Sequence, residues 1–136
     1  MKAVYATGTN YDDPLSVFEV GTMPESETKP FWSTIRVKSA SVNHHDVWSL
    51  QGVGLSDEQT PMILGTDAAG VLQEDIPVRK GLKAGSEVVL YTFVGTDGAG
   101  VMPGERRSIL SERYAGTMAE YTQVPSANVF AKPANL

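Results

Sequence analysis

The sequence predicts a mainly β protein, a barrel or a sandwich with few helices. One observation is that short strand-like runs recur along the chain, separated by Gly and Pro turns. The other is the alternation in TIRVKSASV, Thr34 to Val42, where Ile35 and Val37 face one way while Arg36 and Lys38 face the other.

The first half of the chain predicts strands followed by one short helix. Candidate strands run from Met1 to Thr7, from Leu15 to Val20 and from Thr34 to Val42. The pattern then changes at SVNHHDVWSLQG, where Asn43 suits a helix N-cap. Val47 and Leu50 lie three residues apart, as on one helix face, and Gly52 is a natural stop.

The second half returns to strands. MILGTDAAGVL, Met62 to Leu72, is small and apolar, and its glycines at 65 and 70 indicate a bend or a close backbone approach. EVVLYTF, Glu87 to Phe93, is a strand, and further strands are expected at Ala115 to Pro125 and at Asn128 to Lys132. Residues 95–116, which follow the Glu87 to Phe93 strand, predict a long loop, or a loop that carries a short polar helix around Ile109.

Composition bounds the class of protein. With 136 residues, 41% of them hydrophobic, the chain is long enough to bury the core of one globular domain. The net charge of −5 argues against nucleic acid or a membrane as the partner. The absence of cysteine excludes disulfides and thiolate metal sites and fits a reducing compartment. With no signal core and no long apolar run, we expect a cytoplasmic protein.

The two histidines, His44 and His45, stand side by side before Asp46 and raise the question of a metal site. Neighbours on a helix point about 100° apart and grip one ion poorly, and a third ligand would have to come from a residue such as Asp67. The alternatives are a proton-transfer site beside Trp48, or a strand-to-helix turn with exposed imidazoles.

Two other motifs are weak. Gly98 to Gly104 resembles a dinucleotide loop with Glu120 as its distal acid, but Pro103 interrupts it and the segment that follows is too polar and short. No GxSxG nucleophile elbow is present, so the sequence gives no sign of a serine hydrolase.

Three segments together resemble the N-terminal catalytic domain of the medium-chain dehydrogenase/reductase family. They are VKSASVNHHDVWSLQGVG at 37–54, PMILGTDAAGVL at 61–72 and GTMAEYTQVPSANVFAKP at 116–133, and KAGSEVVL at 83–90 and the opening MKAVYAT also fit. The resemblance covers the whole chain in the family's order. It implies a GroES-like β-barrel, with the family's Rossmann domain absent from this sequence.

The resemblance also implies a zinc-free member. Asn43 stands where zinc-dependent members have a cysteine ligand, and Gly65-Thr66-Asp67 stands in place of their G-H-E motif. The cysteine-rich structural-zinc lobe is replaced as well. We therefore expect no metal and a relationship to the quinone oxidoreductase-like branch.

The same resemblance assigns roles to residues around the helix. His45 takes the place of the hydroxyl that begins the proton relay, so His45 and Asn43 are the expected catalytic residues. Asn43 and its neighbour His44 are expected to contact the cofactor. The residues expected to line the substrate pocket are Trp48, Thr66 and Asp67. The residues expected to shape structural turns are Asp46, Gly65 and Gly70.

The expected function is the catalytic domain of a zinc-independent oxidoreductase that transfers hydride from NADPH or NADH to an activated carbonyl, enone or quinone. The substrate would be a small molecule, and a homodimer is possible in such a family. We expect residues 1–136 to be a fragment of a longer protein or a truncated product, and to be inactive alone because the cofactor would bind only the full-length protein. The alternative is a non-enzymatic GroES-like module for binding or oligomerisation.

Overall fold

Antiparallel strands build three sheets in the computed structural model, which describes residues 1–77, 81–95 and 107–136. The mainly β prediction is confirmed. One α-helix, α1 (His44–Leu50), and short 3₁₀ turns at Pro14–Val17, Asp57–Gln59 and Ser126–Asn128 join the strands of this described part. The strands are β1 (Lys2–Ala6), β2 (Phe18–Thr22), β3 (Trp32–Ala40), β4 (Met62–Ile63), β5 (Ala68–Leu72), β6 (Glu87–Leu90), β7 (Phe93–Val94), β8 (Ser108–Ile109), β9 (Tyr121–Pro125) and β10 (Val129–Ala131).

A five-stranded sheet in the order β10-β6-β5-β3-β9 encloses the larger hydrophobic core. β3 pairs with β5 on one side and with β9 on the other, and an irregularity in register lies between Val37 and Ser39. The alternation predicted for β3 places Ile35 in this core, fully buried, while Arg36 is exposed. The core consists of Trp32, Ile35, Leu72, Ile76, Leu82, Val88, Val94, Leu110, Tyr114, Val124 and Val129.

A second, smaller core lies beside a three-stranded sheet in the order β2-β1-β4. Its buried members come from β1, α1, β4 and the residues around them: Ala6, Leu50, Leu55, Met62 and Leu64. On the exposed side of the β1–β2 pair, the Tyr5 hydroxyl donates a hydrogen bond to Glu19 Oε2 over 2.8 Å. That hydrogen bond, together with burial and the Glu19 charge, raises the pKa of Tyr5 above its ordinary value.

Helix α1 forms where the sequence predicts it. Asn43 is its N-cap, with φ −120° and ψ 161°, and Gly52 has φ +89° just past its end. The apolar face predicted from Val47 and Leu50 is wrong in part, because Leu50 is buried and Val47 is exposed. The buried side of α1 carries two polar residues, Asp46 and Ser49. Asp46 accepts a hydrogen bond from the Asn43 backbone N–H, and Ser49 Oγ lies within hydrogen-bonding distance of His45 Nδ1.

Several predicted strands change their bounds. Glu87 to Phe93 divides between β6, which ends at Leu90, and β7, which begins at Phe93 in a different sheet, and the strand expected from Ala115 begins only at Tyr121. The segment Met62 to Leu72 divides into β4 and β5, which belong to different sheets, because Gly65 between them adopts φ +93°. The first half of Leu15 to Val20 is a 3₁₀ turn beginning at Pro14, whose fixed φ suits a first helical position, and the strand begins at Phe18.

The region around Ile109 differs from its prediction. Ile109 lies in β8, which pairs antiparallel with β7, so the polar-helix interpretation of this stretch is wrong. The dinucleotide-loop candidate, Gly98 to Gly104, falls outside the described residues. Within the described ranges, no helix has the length and apolar character needed to cross a membrane.

Candidate active site

Asp46 joins the helix to the segment between β4 and β5. Its Oδ2 accepts a hydrogen bond from the Asn43 backbone N–H over 2.8 Å, and its Oδ1 accepts one from the Gly65 backbone N–H over 2.8 Å. Asp46 is only 4% exposed, so these contacts satisfy a carboxylate that would otherwise be buried without partners. Asp46 therefore fixes the position of the start of α1 relative to residues 64–67, which lie about 20 positions later in the chain.

A polar cluster forms where these two segments meet, and we call Ser41, Asn43, Thr66 and Asp67 the Asn43 cluster. The Asn43 amide nitrogen lies 2.7 Å from Asp67 Oδ2, 3.1 Å from Thr66 Oγ1 and 3.2 Å from Ser41 Oγ. Ser41 Oγ also donates to Asp67 Oδ2 over 3.0 Å. Thr66 is buried, whereas Asp67 is exposed, so the cluster runs from the interior to the surface.

The donor set of the Asn43 cluster does not fit a zinc ion. An ionised carboxylate only accepts hydrogen bonds, so the Asn43 atom that faces Asp67 is the NH₂ nitrogen and not the carbonyl oxygen. An amide nitrogen with its hydrogens turned inward offers no lone pair to a cation, and zinc sites use Cys, His or carboxylate ligands. Across the described residues, no group of three or more His, Asp or Glu side chains is placed to hold a metal.

The two histidines point in different directions, as adjacent positions on a helix predict. The His44 ring stacks on Trp48, with 5.9 Å between ring centroids and 17° between planes, and both rings are exposed. The His45 Nε2 atom lies 3.0 Å from Glu112 Oε1, and its Nδ1 lies 3.5 Å from Ser49 Oγ. Among the contacts of the described residues, the hydrogen bonds of His45 therefore lead to Glu112 and Ser49 and not to the Asn43 cluster.

Glu112 is the partner that the sequence does not predict. It lies 67 positions after His45, in the stretch predicted to be irregular, and its side chain is 27% exposed against 19% for His45. Its Oε2 lies 3.5 Å from Ser108 Oγ, and a Cβ at Gly54 would overlap its carboxylate. The only hint in the sequence is Gly54, since a glycine can mark a close approach by another group.

Gly65 and Gly70 both lie against neighbouring backbone. Gly65 has φ +93°, and a Cβ built there would lie 2.6 Å from Thr117 Oγ1 and 2.9 Å from the Met118 backbone nitrogen. A Cβ at Gly70 would overlap the backbone carbonyl of Arg36 in the neighbouring strand β3. These contacts bring β5 close to β3 and fix the path of the chain into Thr66 and Asp67.

An open cavity of about 340 Å³ adjoins the cluster at one end of the five-stranded sheet. Asp67 and Ser41 belong to its lining, whereas Thr66, which is buried, and Trp48 are not among its lining residues. The substrate-pocket residues expected from sequence are therefore only partly brought together. The cavity is lined by Ser39, Ala40, Ser41, Asp67, Ala68, Ala69, Val89 and Leu90.

Comparisons with known proteins agree on one family. The alcohol dehydrogenase GroES-like domain model matches residues 29–134. The crystal structure of an NAD-dependent alcohol dehydrogenase is 34% identical over 100% of this chain and 40% of its own, with a TM-score of 0.80. Comparison with curated protein sequences finds no significant match.

Two further solved structures share the fold. A cobalt- and zinc-bound thermostable alcohol dehydrogenase from Pyrobaculum aerophilum is 25% identical over 98% of this chain and 41% of its own, with a TM-score of 0.75. The 2R,3R-butanediol dehydrogenase from Bacillus subtilis is 20% identical over 99% of this chain and 41% of its own, with a TM-score of 0.77. The chain spans about two fifths of the length of the solved structures that it matches.

Proposed function

The chain belongs to the alcohol dehydrogenase GroES-like domain family, and from this premise we propose that it is the catalytic domain of a zinc-independent, NAD(P)H-dependent oxidoreductase. Its substrate would be a small molecule with an activated carbonyl, an enone or a quinone. The similarity to an NAD-dependent alcohol dehydrogenase over the whole chain supports the nicotinamide cofactor.

The observation that carries zinc independence is the orientation of the Asn43 amide. Asn43, Thr66 and Asp67 occupy the positions that the family resemblance assigns to the metal site, and they hydrogen bond to one another. Because the amide donates to both partners, protein atoms already occupy the side of Asn43 that faces Thr66 and Asp67. The similar alcohol dehydrogenase from Pyrobaculum aerophilum, by contrast, is a cobalt- and zinc-bound protein.

Residues at the start of α1 offer a suitable surface for the cofactor. When bound, the nicotinamide supplies or accepts the hydride. Asn43 holds the N-terminal end of the helix, and the exposed His44–Trp48 pair lies on the same helix, where it gives a planar group an aromatic surface to pack against. We propose that Asn43 and His44 contact the cofactor, and that Asp46 keeps both in place through its two backbone hydrogen bonds.

The residue that we propose as the source of the proton is His45. Hydride addition to a carbonyl leaves an oxyanion, which needs a proton or a strong hydrogen-bond donor where no metal is present. Glu112 accepts from Nε2, so this hydrogen bond orients the ring, and a proton carried on Nδ1 is the one that can leave. Nδ1 is held only loosely, at 3.5 Å from Ser49 Oγ, which leaves it free to change partner.

The test of this function compares metal content with turnover in the full-length enzyme. Protein purified without a metal-affinity tag and then dialysed should contain no stoichiometric zinc. It should reduce enones or quinones with NADH or NADPH, and a strong chelator should leave the rate unchanged. A zinc-dependent alcohol dehydrogenase treated in parallel serves as the control, since it loses activity. Stoichiometric zinc that survives dialysis would contradict the proposal.

A further inference from the structure

The cavity beside the Asn43 cluster has one charged residue in its lining, Asp67. The remainder of the lining is small or apolar, apart from the hydroxyls of Ser39 and Ser41. A single carboxylate in such a wall sets the electrostatic sign of the whole cavity.

The Asp67 carboxylate is held in one orientation. Its Oδ2 accepts two hydrogen bonds, from Asn43 Nδ2 over 2.7 Å and from Ser41 Oγ over 3.0 Å. Its backbone carbonyl is fixed as well, by a hydrogen bond from Thr117 Oγ1 over 2.9 Å. A side chain held this way has little conformational freedom left to lose when it meets a ligand, which favours binding.

The second carboxylate oxygen, Oδ1, is available. In the described part of the chain, it accepts no hydrogen bond, and no Lys, Arg or His nitrogen lies within 4.0 Å of the carboxylate. An unneutralised carboxylate binds hydrogen-bond donors strongly and repels anions. It also repels the oxyanion that hydride transfer creates, so the reacting oxygen must lie away from Asp67.

We propose that Asp67 selects substrates that carry a hydrogen-bond donor next to the reacting carbonyl and no negative charge. The donor is a hydroxyl or an ammonium group, since both complement a carboxylate. The proposal rests on the proposed function only in treating the cavity as the substrate site. Asn43 and Ser41 act as positioning residues, because they hold Oδ2 and so aim Oδ1.

The test is a binding titration of the chain with four small ketones that differ at one group. Hydroxyacetone and butanone are nearly equal in shape, but only hydroxyacetone donates a hydrogen bond, while aminoacetone carries an ammonium group and pyruvate a carboxylate. Binding is followed by NMR through the backbone amides of Asp67 and Ala68 and the side-chain amide of Asn43. No cofactor is needed, so the result does not depend on turnover.

We expect hydroxyacetone to bind about fivefold more tightly than butanone, since the donor meets a charged acceptor that remains partly solvated. Aminoacetone should bind at least as tightly as hydroxyacetone, and pyruvate should shift none of these signals. If aminoacetone alone exceeds butanone, the donor that Asp67 recognises is an ammonium group.

Asp67→Asn keeps the shape of the side chain but removes its charge, so it should abolish the preference for aminoacetone and admit pyruvate. Asp12→Asn, which removes one charge outside the cavity lining, is the matched control and should bind like the wild type. Ser41→Ala leaves the carboxylate in place but removes one of the two hydrogen bonds that hold Oδ2, and should weaken the discrimination without abolishing it. Equal affinity for hydroxyacetone, aminoacetone and butanone, or a preference that survives Asp67→Asn, would overturn the proposal.

Discussion

Gly65 fixes the path of the chain into Thr66 and Asp67. Replacing Gly65 with alanine should lower the free energy of unfolding by an amount that follows from its backbone conformation and its neighbours. Its φ of +93° lies in the left-handed region, where an L residue costs roughly 1–2 kcal/mol. Alanine also lowers the entropy of the unfolded chain, which returns about 0.4–1 kcal/mol. The backbone contribution alone is therefore about 1 kcal/mol.

Packing adds a second cost at Gly65. The new methyl group would lie 2.6 Å from Thr117 Oγ1 and 2.9 Å from the Met118 backbone nitrogen. Neither neighbour can withdraw freely, because Thr117 Oγ1 donates to the Asp67 carbonyl and the Met118 N–H donates to the Leu64 carbonyl. Overpacking costs about 1–3 kcal/mol, so Gly65→Ala should lose about 2–4 kcal/mol in total.

Two other glycines separate these contributions. Gly85 has almost the same φ, +88°, but no atom lies within 4 Å of its Cβ position, so Gly85→Ala should lose only about 1 kcal/mol. Gly70 lacks a positive φ but lies against the Arg36 carbonyl, so Gly70→Ala measures the steric cost without the cost of a left-handed backbone. Urea unfolding of the three variants, analysed at a common m-value, gives the free energies directly. If Gly65→Ala loses no more stability than Gly85→Ala, the close approach of Thr117 and Met118 is not real.

Two shorter predictions concern other hydrogen bonds. Asp46→Ala should lose about 2–4 kcal/mol in the same assay, because it leaves the backbone N–H groups of Asn43 and Gly65 without their acceptor; a loss below that of Gly85→Ala would contradict this. The raised pKa of Tyr5 favours its neutral form in the fold, so this contribution to stability is present at neutral pH and is lost as pH rises through that pKa. Glu19→Gln should move the tyrosinate absorbance of Tyr5 to lower pH, and an unchanged titration would contradict the role of that hydrogen bond.

Local signals in the sequence account for the elements that were predicted well. The alternation in β3 and the polar N-cap at Asn43 each act within a few residues, and the structure keeps both. Gly52 ends α1 through a positive φ, which glycine adopts without steric cost. Such features need no knowledge of distant contacts, so one sequence is enough to predict them.

Features that depend on distant contacts were predicted less well. Val47 has the spacing of a buried helical residue, yet it is exposed, because Asp46 is turned inward to bind the Gly65 N–H. The division of Met62 to Leu72 between two sheets depends on how residues 116–118 pair with residues 63–65. The spacing of hydrophobic residues in the sequence, every second residue in a strand or every 3.6 residues in a helix, carries no information about which distant segments pair.

The candidate site shows the same limit. The resemblance places Asn43, Thr66 and Asp67 in one region, and the structure brings them within hydrogen-bonding distance. Glu112 could not be predicted, because it lies in a polar stretch without a motif around it. Its contact with His45 changes what can be expected of that histidine, since one ring nitrogen is already engaged.

The final prediction follows from that contact and concerns proton transfer in the full-length enzyme. His45→Ala should lower kcat roughly 10²-fold, a typical size for lost general-acid help. His44→Ala is the comparison: as a proposed cofactor contact it should raise the KM for the cofactor, but it stacks on Trp48 and makes no hydrogen bond to Glu112 in the described structure. Its effect on kcat should be small.

Glu112→Gln then separates positioning from packing. The amide has the size of the carboxylate and can still meet Nε2, but its oxygen is neutral and accepts a weaker hydrogen bond from the imidazole. If Glu112 supports proton donation, this variant should lower kcat with little change in KM, and Glu112→Asp should restore part of the rate. Normal turnover in Glu112→Gln would make the contact purely structural. Equal, small effects of His45→Ala and His44→Ala would remove His45 from the mechanism and leave Asn43 and the cofactor to stabilise the oxyanion.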